Sequence, residues 1–475
     1  MVDHEVLKHR LEKAIDEQVI PLLMDYIRVP SLSPLYDPDW ETNGLMEQAQ
    51  KLLLDYVHGL NITGFSSQIL KEPGKPWMFL GEVPASNPAL GTILIYGHMD
   101  KQPHFPNWIP GTNNTEPAVI DGKLYGRGGA DDGYAMPTAA LLIKTLQELG
   151  IPHGRIVILG ETEEESGSPN LLYLVNQLKE RIGDPELVIC LDSGAGDYDH
   201  LWITTSLRGN LAAELSVNVV KNGLHSGDAS GIVPSSFRIL RNLLDRIEDS
   251  NTGAIKVPEL YQEITPEMRE QVESVAKVLG TSIFTKIEWD GNTQPMTQDV
   301  VEAMLNRTLR PTLSITGADG LPPIATAGNV LRPLTAVKLS VRLPPSIDGK
   351  FAFEKLAEVL LNNPPYQATV NLKLLGSGNG FSPKPLDQWM AQTLNEASLK
   401  YYGTETLYMG EGGSIPFMGA LENLFPRAKF IVTGVLGPNS NAHSANEFLH
   451  IPFMKKMLCC LGVFLAEHGK RVHQA

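Results

Sequence analysis

The chain has little cysteine. Only three cysteines, Cys190, Cys459 and Cys460, occur in 475 residues. Two adjacent cysteines can form at best a strained bridge, and a disulfide framework needs several well-spaced pairs. The sequence therefore predicts no disulfide framework, and we expect a reducing, cytoplasmic compartment.

Long hydrophobic runs are absent as well. No stretch reaches the roughly 18 apolar residues that a membrane-spanning helix requires, so we expect no membrane partner. The first residues, MVDHEVLKHRLEKAIDEQV, are rich in charge. Their apolar positions Leu7, Leu11, Ile15 and Val19 follow the spacing of an amphipathic helix, which is not the pattern of a secretory signal.

Basic residues are in deficit. The chain has 39 Lys and Arg against 54 Asp and Glu, which gives a formal net charge of −15. A surface of this sign repels phosphate backbones, so we expect no nucleic-acid partner. The same excess of acid is compatible with bound cations but does not by itself predict them.

The first 200 residues alternate apolar runs with a helical pattern. The apolar runs cover residues 78–83, 91–98, 155–161 and 186–193, and residues 135–150 have helical periodicity. Near-continuous apolar strands separated by helices are typical of a mostly parallel sheet covered by helices on both faces. We therefore predict an α/β domain, in which ligands bind at the carboxyl ends of the strands.

The pattern changes at about residue 209. Apolar and polar residues then alternate in three segments, which indicates half-exposed strands, and helical segments lie between them. This order predicts a separate α+β domain. We assign residues 209–383 to this insertion and residues 1–208 and 384–475 to a discontinuous first domain.

Residues 160–168, GETEEESGS, place four glutamates directly after an apolar strand. Such a run is usually a solvated loop or the first turn of a helix, where negative charge favours the helix dipole. The alternative is a site that holds cations, because buried like charges repel strongly unless they are neutralised. That alternative requires further ligands from other parts of the chain.

Similar residues follow other predicted strands or lie in glycine-rich loops. They are His98 and Asp100 in YGHMDKQP, Asp131 and Asp132 in GRGGADDG, Asp192 in CLDSG and His443 in GPNSNAHSANEF. Each has an ordinary explanation on its own, as a core histidine, a turn residue or a helix cap. Their shared position at strand ends favours a common metal site.

The motifs resemble those of the dimetal aminoacylase/carnosinase peptidase family, in particular its carnosinase-like dipeptidases. The family's H-x-D matches residues 98–100, its G-R-G-x-x-D matches residues 126–131, and its E-E-x-G-S matches residues 164–168. Gln102 and Pro103 also follow H-x-D as in the carnosinase-like members. The motifs occur in the family's order over nearly the whole chain.

The resemblance implies a role for each residue of the first domain. Two divalent metal ions are expected, with zinc favoured and manganese or cobalt also suited to a His and carboxylate set. Asp131 would bridge the ions, Glu164 would be the general base and Asp100 would orient His98. The remaining ligands would be His98 and Asp192 for one ion, and Glu165 and His443 for the other. Glu161 and Glu163 receive no role and are expected to face solvent or to support the ligands.

One position departs from the family pattern. Carnosinase-like members usually have D-D-K-G at the bridging aspartate, whereas this chain has Asp131, Asp132, Gly133 and Tyr134. The missing lysine is not a ligand, so metal binding should survive, whereas its absence bears on the loop geometry and on the reaction rate.

The resemblance also assigns substrate-binding residues. The inserted domain would serve as a lid and dimerisation domain. Its His225, in L-H-S-G, would reach the active site of the partner subunit in a homodimer. Arg342 would bind the substrate carboxylate, with Asn329 nearby, since a guanidinium suits a carboxylate. In GEGGS, Glu411 would bind the substrate amine and Ser414 the carboxylate.

A site that binds both the free amine and the free carboxylate of its substrate favours very short peptides. We therefore predict a metal-dependent exopeptidase that hydrolyses short peptides, in particular dipeptides, through a metal-activated water with Glu164 as general base. The alternative of the same chemistry is an N-acyl-amino-acid deacylase. A non-catalytic metal-binding relative is disfavoured because the ligand set and the base are all present.

Overall fold

The computed structural model of the protein describes residues 3–413 and 416–471. Its strands are β1 (Ser66–Leu70), β2 (Met78–Val83), β3 (Ile93–His98), β4 (Ala118–Ile120), β5 (Lys123–Tyr125), β6 (Ile156–Glu161), β7 (Leu187–Cys190), β8 (Trp202–Leu207), β9 (Gly209–Asn218), β10 (Leu224–His225), β11 (Thr312–Asp319), β12 (Val330–Leu331), β13 (Leu334–Leu343), β14 (Thr369–Gly378), β15 (Leu407–Glu411), β16 (Lys429–Val432) and β17 (Phe448–His450).

The α-helices alternate with these strands. They are α1 (His4–Ala14), α2 (Ile20–Ile27), α3 (Leu45–Gly59), α4 (Ala135–Glu148), α5 (Leu171–Ile182), α6 (Ser226–Ala229), α7 (Ser236–Ile247), α8 (Pro266–Leu279), α9 (Ser282–Thr285), α10 (Val300–Thr308), α11 (Gly349–Leu361), α12 (Gln388–Tyr401), α13 (Pro416–Leu424) and α14 (Ile451–His468). A π-helical segment, Ile15–Val19, joins α1 to α2. Among residues 3–413 and 416–471, none of the helices is long and apolar enough to cross a bilayer.

The chain divides into two compact units. Unit 1 comprises the residues up to 205, residues 383–408 and those from 420 onward, and unit 2 comprises residues 206–382 and 409–419. The sequence places the limits of the insertion at residues 209 and 383. The structure also assigns the short segment 409–419 to unit 2.

The largest sheet has eight strands in the order β1-β2-β6-β3-β7-β16-β8-β15. Its centre, β6-β3-β7-β16, is parallel, whereas β2 pairs with β6 and β8 with β16 in the antiparallel sense. Every residue of β3, β6 and β7 is buried, which explains why these strands are almost continuously apolar. Helix α4 packs against β3 and β6. The predicted α/β fold, a sheet with a parallel centre flanked by helices, is confirmed.

Unit 2 contains a four-stranded antiparallel sheet in the order β11-β13-β9-β14. Strands β9, β13 and β14 and helices α7 and α11 occupy the positions that the alternating pattern predicts. The two helices pack on the sheet around a core that includes Leu215, Leu240, Leu339 and Leu356. Strand β11 at the sheet edge is mostly exposed, so it lacks the apolar periodicity by which the other three strands are predicted.

Candidate metal centre

Three parallel strands end at one edge of the large sheet. His98 is the last residue of β3, and its neighbour in the ladder is Glu161, the last residue of β6. Strand β7 lies on the other side of β3, and Asp192 follows its last residue by two positions. The carboxyl ends of these strands therefore bring acidic and imidazole side chains together, as in other open α/β sheets.

Asp131 lies between two histidines. Its Oδ1 is 3.1 Å from His98 Nε2, and its Oδ2 is 3.0 Å from His443 Nε2. The loop that carries Asp131 connects β5 to α4, and the side chain is almost completely buried. Each carboxylate oxygen thus faces a different imidazole, which is the arrangement that a bridging ligand requires.

The remaining acids are distributed on the two sides of Asp131. Asp192 Oδ2 is 4.0 Å from His98 Nε2, and Glu165 Oε2 is 3.1 Å from His443 Nε2. Possible ligand atoms of His98, Asp131 and Glu165 all lie within 4.8 Å of one another. The same holds for His98, Glu164 and Asp192, so Glu164 is also close enough to act as a ligand.

The donor set fits divalent cations. Burial and the charge of Asp131 raise the pKa of Glu165 to about 7, and burial raises the pKa of Asp192 to about 6. Glu165 Oε1 is buried and has no hydrogen-bond partner. A cation would compensate these charges, and His with carboxylate oxygens is a set that zinc, manganese and cobalt accept.

Both histidines are strongly basic without a metal. Burial lowers the pKa of His98, but hydrogen bonds to Asp100 and Asp131 outweigh it and raise the pKa well above the usual value. Burial opposes protonation of His443 too, yet Asp131 and Glu165 raise its pKa to about 11. Metal binding must therefore displace protons from both imidazoles.

Asp100 connects His98 to the glutamate run. Its Oδ1 is 3.4 Å from His98 Nδ1, and its carboxylate accepts hydrogen bonds from the main-chain N–H groups of Glu164 and Glu165 at 3.2 and 3.0 Å. One fully buried carboxylate thus fixes both the imidazole and the short 3₁₀ turn Glu164–Ser166.

The four glutamates of the run differ in exposure. Glu161, Glu163 and Glu165 are buried, whereas Glu164 is partly exposed. The possibility that Glu161 and Glu163 face solvent is therefore wrong. Glu163 accepts hydrogen bonds from Asn170 N and Nδ2, and Glu161 Oε2 accepts one from Tyr96 Oη at 2.6 Å. Both residues support the site from inside the protein, because the run follows a fully buried strand.

His443 lies in a loop of unusual backbone conformation. The φ angle is positive at Asn439, Asn441, His443 and Asn446. Asparagine tolerates the left-handed region better than most residues, whereas a histidine there is uncommon. The side chain of His443 remains 55% exposed, so this candidate ligand lies at the open side of the cluster.

Gly133, which replaces the usual lysine, is required by close packing. A Cβ atom at this position would come within 2.4 Å of Tyr26 Cε1 and 2.6 Å of the Gly128 carbonyl oxygen. A different lysine, Lys101, is buried nearby, and its Nζ donates to the carbonyl oxygens of Tyr26 and Val29 at 2.7 Å. The Tyr26 ring thus fills the space beside Gly133, where a side chain would not fit.

Three residues with clear contacts to the site are not assigned by the sequence motifs. Gln102 Nε2 donates to Glu165 Oε2 at 2.6 Å. Arg127 and Glu447 form a buried ion pair at 2.6 Å that contacts the loops of Asp131 and His443. Gln102 is recognisable by its place after H-x-D, whereas no sequence signal pairs Arg127 with Glu447 across 320 positions.

In unit 2, His225 and Asn329 lie close together. Strand β10 ends at His225 and pairs with β12, which begins at Val330. The carbonyl oxygen of Asn329 accepts a hydrogen bond from Ser226 N at 3.0 Å. His225 is exposed, and its Nδ1 accepts a hydrogen bond from Gly227 N, which leaves Nε2 available at the surface.

Arg342 and Glu411 flank a second arginine of unit 2. Arg208 donates from Nε to Gly412 O, and its pKa falls to about 10 because of burial and the nearby charge of Arg342. Glu411, at the end of β15, also lies within reach of the charge of Lys286. Ser414 lies outside the described residues.

The chain is similar in sequence and in structure to known dipeptidases. The chain is 26% identical over 392 residues to the cysteinylglycine-S-conjugate dipeptidase of Corynebacterium striatum, with 80% of this chain and 81% of the relative covered. It is 28% identical over 397 residues to the Beta-Ala-His dipeptidase of Homo sapiens, with 78% of this chain and 73% of the relative covered. Human carnosine dipeptidase 1 has a similar structure, with a TM-score of 0.75 at 21% identity over 98% of this chain and 99% of that one.

The model of one protein family matches most of the chain. The match to "Peptidase family M20/M25/M40" spans residues 94–466 and includes all of the proposed metal ligands. This match and the curated relatives confirm the resemblance that the motifs indicate. The chain therefore belongs to peptidase family M20/M25/M40.

Proposed function

We propose that the protein is a dipeptidase that uses two divalent metal ions. Membership of the family makes it a metallopeptidase, hence a hydrolase, and its curated relatives include two dipeptidases. The observation that carries the assignment of two ions is the position of Asp131, whose oxygens each face a different histidine.

The ligands divide into two groups that share Asp131. His98 and Asp192 would complete one position, and Glu165 and His443 the other. Zinc is the favoured ion, with manganese and cobalt as alternatives that the same donors accept. Bound there, the ions would polarise the scissile carbonyl group and lower the pKa of water.

Glu164 is the proposed general base. It is the one partly exposed glutamate of the run, while Asp100 holds its main-chain N–H. Burial and the charge of Asp192 raise the pKa of Glu164 above its ordinary value, which suits a group that accepts a proton from water and returns it to the leaving amine. Asp100 would keep the imidazole of His98 oriented while this exchange occurs.

The substrate would be recognised by unit 2. Arg342 would bind the free carboxylate together with Ser414, and Glu411 would bind the free amine. His225 and Asn329 would contact the substrate near the scissile bond, with His225 serving the active site of the partner subunit in a homodimer. The contact between Asn329 and Ser226 supports a common role for these two segments.

We place the protein in the cytoplasm. Cys190, Cys459 and Cys460 are all free and buried, as they would be in a reducing compartment.

A substrate comparison tests the proposal. Unblocked dipeptides should be hydrolysed faster than N-acetylated amino acids or tetrapeptides, because the Glu411 carboxylate would attract a free ammonium group but not a neutral acetyl amide. We expect a preference of about 10-fold in kcat/KM, which corresponds to about 1.4 kcal/mol.

Glu411→Ala is the matched variant for this test. It should narrow the gap between dipeptide and acetylated substrate without changing the preference for a free carboxylate. If the wild type prefers N-acetyl amino acids to every dipeptide in a broad panel, the protein is a deacylase and the proposal is wrong.

A further inference from the structure

Glu447 is a fully buried carboxylate that binds one short loop at several points. It accepts hydrogen bonds from Gly128 N at 3.0 Å, Ala130 N at 3.2 Å and Asp131 N at 3.3 Å. Its main-chain oxygen also accepts one from Gly126 N. Glu447 therefore fixes the backbone of the loop from Gly126 to Asp131, in the manner of an anion held by a ring of N–H groups.

Arg127 extends this contact to the loop of His443. Its Nη1 donates to Glu447 Oε2 at 2.6 Å, and its Nη2 donates to the carbonyl oxygen of Ser444 at 2.7 Å. Ser444 directly follows His443. Both acceptors lie on the segment that carries His443, and Arg127 itself belongs to the loop of Asp131. The guanidinium therefore joins the two segments, and its planar geometry fixes both contacts at once.

The Lys101 side chain packs against the loop at Gly128. A Cβ atom at Gly128 would come within 2.7 Å of Lys101 Cε. The backbone of Gly128 therefore runs between the Lys101 side chain and the Glu447 carboxylate, with little freedom to shift. A buried ion pair of this kind contributes little to net stability compared with apolar packing, so its value lies in the geometry that it imposes.

The other proposed metal position has independent support. His98 belongs to the ladder between β3 and β6, and Asp192 follows β7 in the same sheet. Neither residue contacts Arg127 or Glu447 through a hydrogen bond of the described structure. Arg127 and Glu447 instead contact the segments of Asp131 and His443, whose Oδ2 and Nε2 atoms lie 3.0 Å apart.

We propose that Glu447 and Arg127 are positioning residues that hold Asp131 and His443 in register, and that they control metal retention at the His443 position more than at the His98 position. This inference rests on the proposed use of two ions. If it holds, substitutions at Glu447 or Arg127, neither of which is a proposed ligand, should change the metal affinity of one position more than that of the other.

Zinc titration of the metal-free full-length protein against a competing chelator tests the inference. Glu447→Gln replaces one acceptor oxygen by an amide group that faces N–H donors. Arg127→Lys keeps the positive charge, but a lysine cannot donate to Glu447 and to the Ser444 carbonyl oxygen in the same geometry. In each variant we expect one ion to bind within a few-fold of the wild-type affinity and the other to weaken by about 10–100-fold, as changes behind metal ligands typically do.

Glu82→Gln is the matched control. Glu82 is also paired with arginines, Arg155 at 2.7 Å and Arg181, but contacts neither loop, so both ions should bind as in the wild type. Equal weakening of both ions in the two variants, or two unchanged ions, contradicts the inference while the wild type still binds two. A wild type that binds fewer than two ions contradicts the proposed function and the inference together.

Discussion

Glu161 should make the metal-free protein less stable as the pH rises. The side chain is 1% exposed, and Tyr96 Oη is its hydrogen-bond donor at 2.6 Å. Burial raises the pKa of Glu161 from 4.5 to about 8, and the charge of Asp100 contributes. The perturbation that isolates this effect is Glu161→Gln, which keeps an acceptor oxygen for Tyr96 and cannot ionise.

The sign follows from proton linkage. A group with a raised pKa binds more protons in the folded state, so its contribution to stability is full below the unfolded pKa and is lost as the pH rises through the folded pKa. The window runs from about pH 4.5 to about pH 8. A difference of about 3.5 between these values corresponds to at most about 5 kcal/mol.

Urea unfolding in the presence of a chelator measures the effect. The wild type and Glu161→Gln should differ in free energy of unfolding by an amount that grows steadily in favour of the variant from pH 5.5 to pH 8.5. Other titrating groups of the site, such as His98, are common to both proteins and cancel in this difference. Glu82→Gln should give a constant difference over the same range, because arginines lower the pKa of Glu82 and it is already ionised in both states.

A pH-independent difference between wild type and Glu161→Gln would refute the reasoning. It would mean that Glu161 is ionised in the folded protein throughout the range, with a compensating cation that the described contacts do not include. A difference that grows in favour of the wild type would give the pKa shift the opposite sign.

Two further predictions concern the reaction. Glu164→Gln should keep both ions but lose about 10²–10⁴-fold in kcat, as expected for removal of a general base. Glu165→Gln should instead weaken metal retention. Metal analysis and steady-state kinetics of both variants distinguish the two roles, and the reverse pattern would make Glu164 the ligand. Mixing inactive His225→Ala chains with Glu164→Gln chains should restore activity, because each hybrid dimer contains one intact site. An absence of recovery after demonstrated subunit exchange would mean that His225 does not act in the partner's site.

The sequence predicts those strands whose apolar pattern results from burial in the sheet. Strands β3, β6 and β7 are buried along their whole length, so their apolar runs and the polar residues that follow them are recognisable without a structure. The same logic places His98 and Asp192 at a common edge. Strand β11 is not predicted because its mostly exposed side chains carry no such pattern.

Long-range pairing inside the site is not predictable in the same way. Glu447 lies in a motif that the sequence singles out for His443, yet nothing in its neighbourhood indicates that its partner is Arg127. The replacement of a lysine by Gly133 is visible in the sequence, but its reason is not. That reason is the ring of Tyr26, which lies more than 100 positions earlier and leaves no room for a Cβ atom.

The distribution of unpaired oxygens connects stability with function. Glu447 and Glu163, at the periphery of the site, are well supplied with protein donors. Asp132 Oδ1, Glu161 Oε1 and Glu165 Oε1 are buried and have no hydrogen-bond partner. Unsatisfied buried acids destabilise a fold unless protons or cations neutralise them.

Protons can neutralise these acids up to about pH 6 to 8, since burial raises the pKa of Asp192 to about 6, that of Glu165 to about 7 and that of Glu161 to about 8. Cations that bind the folded chain stabilise it by mass action, and their binding requires deprotonated ligands. Protonation of the acids therefore stabilises the site at low pH. Cation binding takes over this stabilisation as the pH rises and the acids lose their protons.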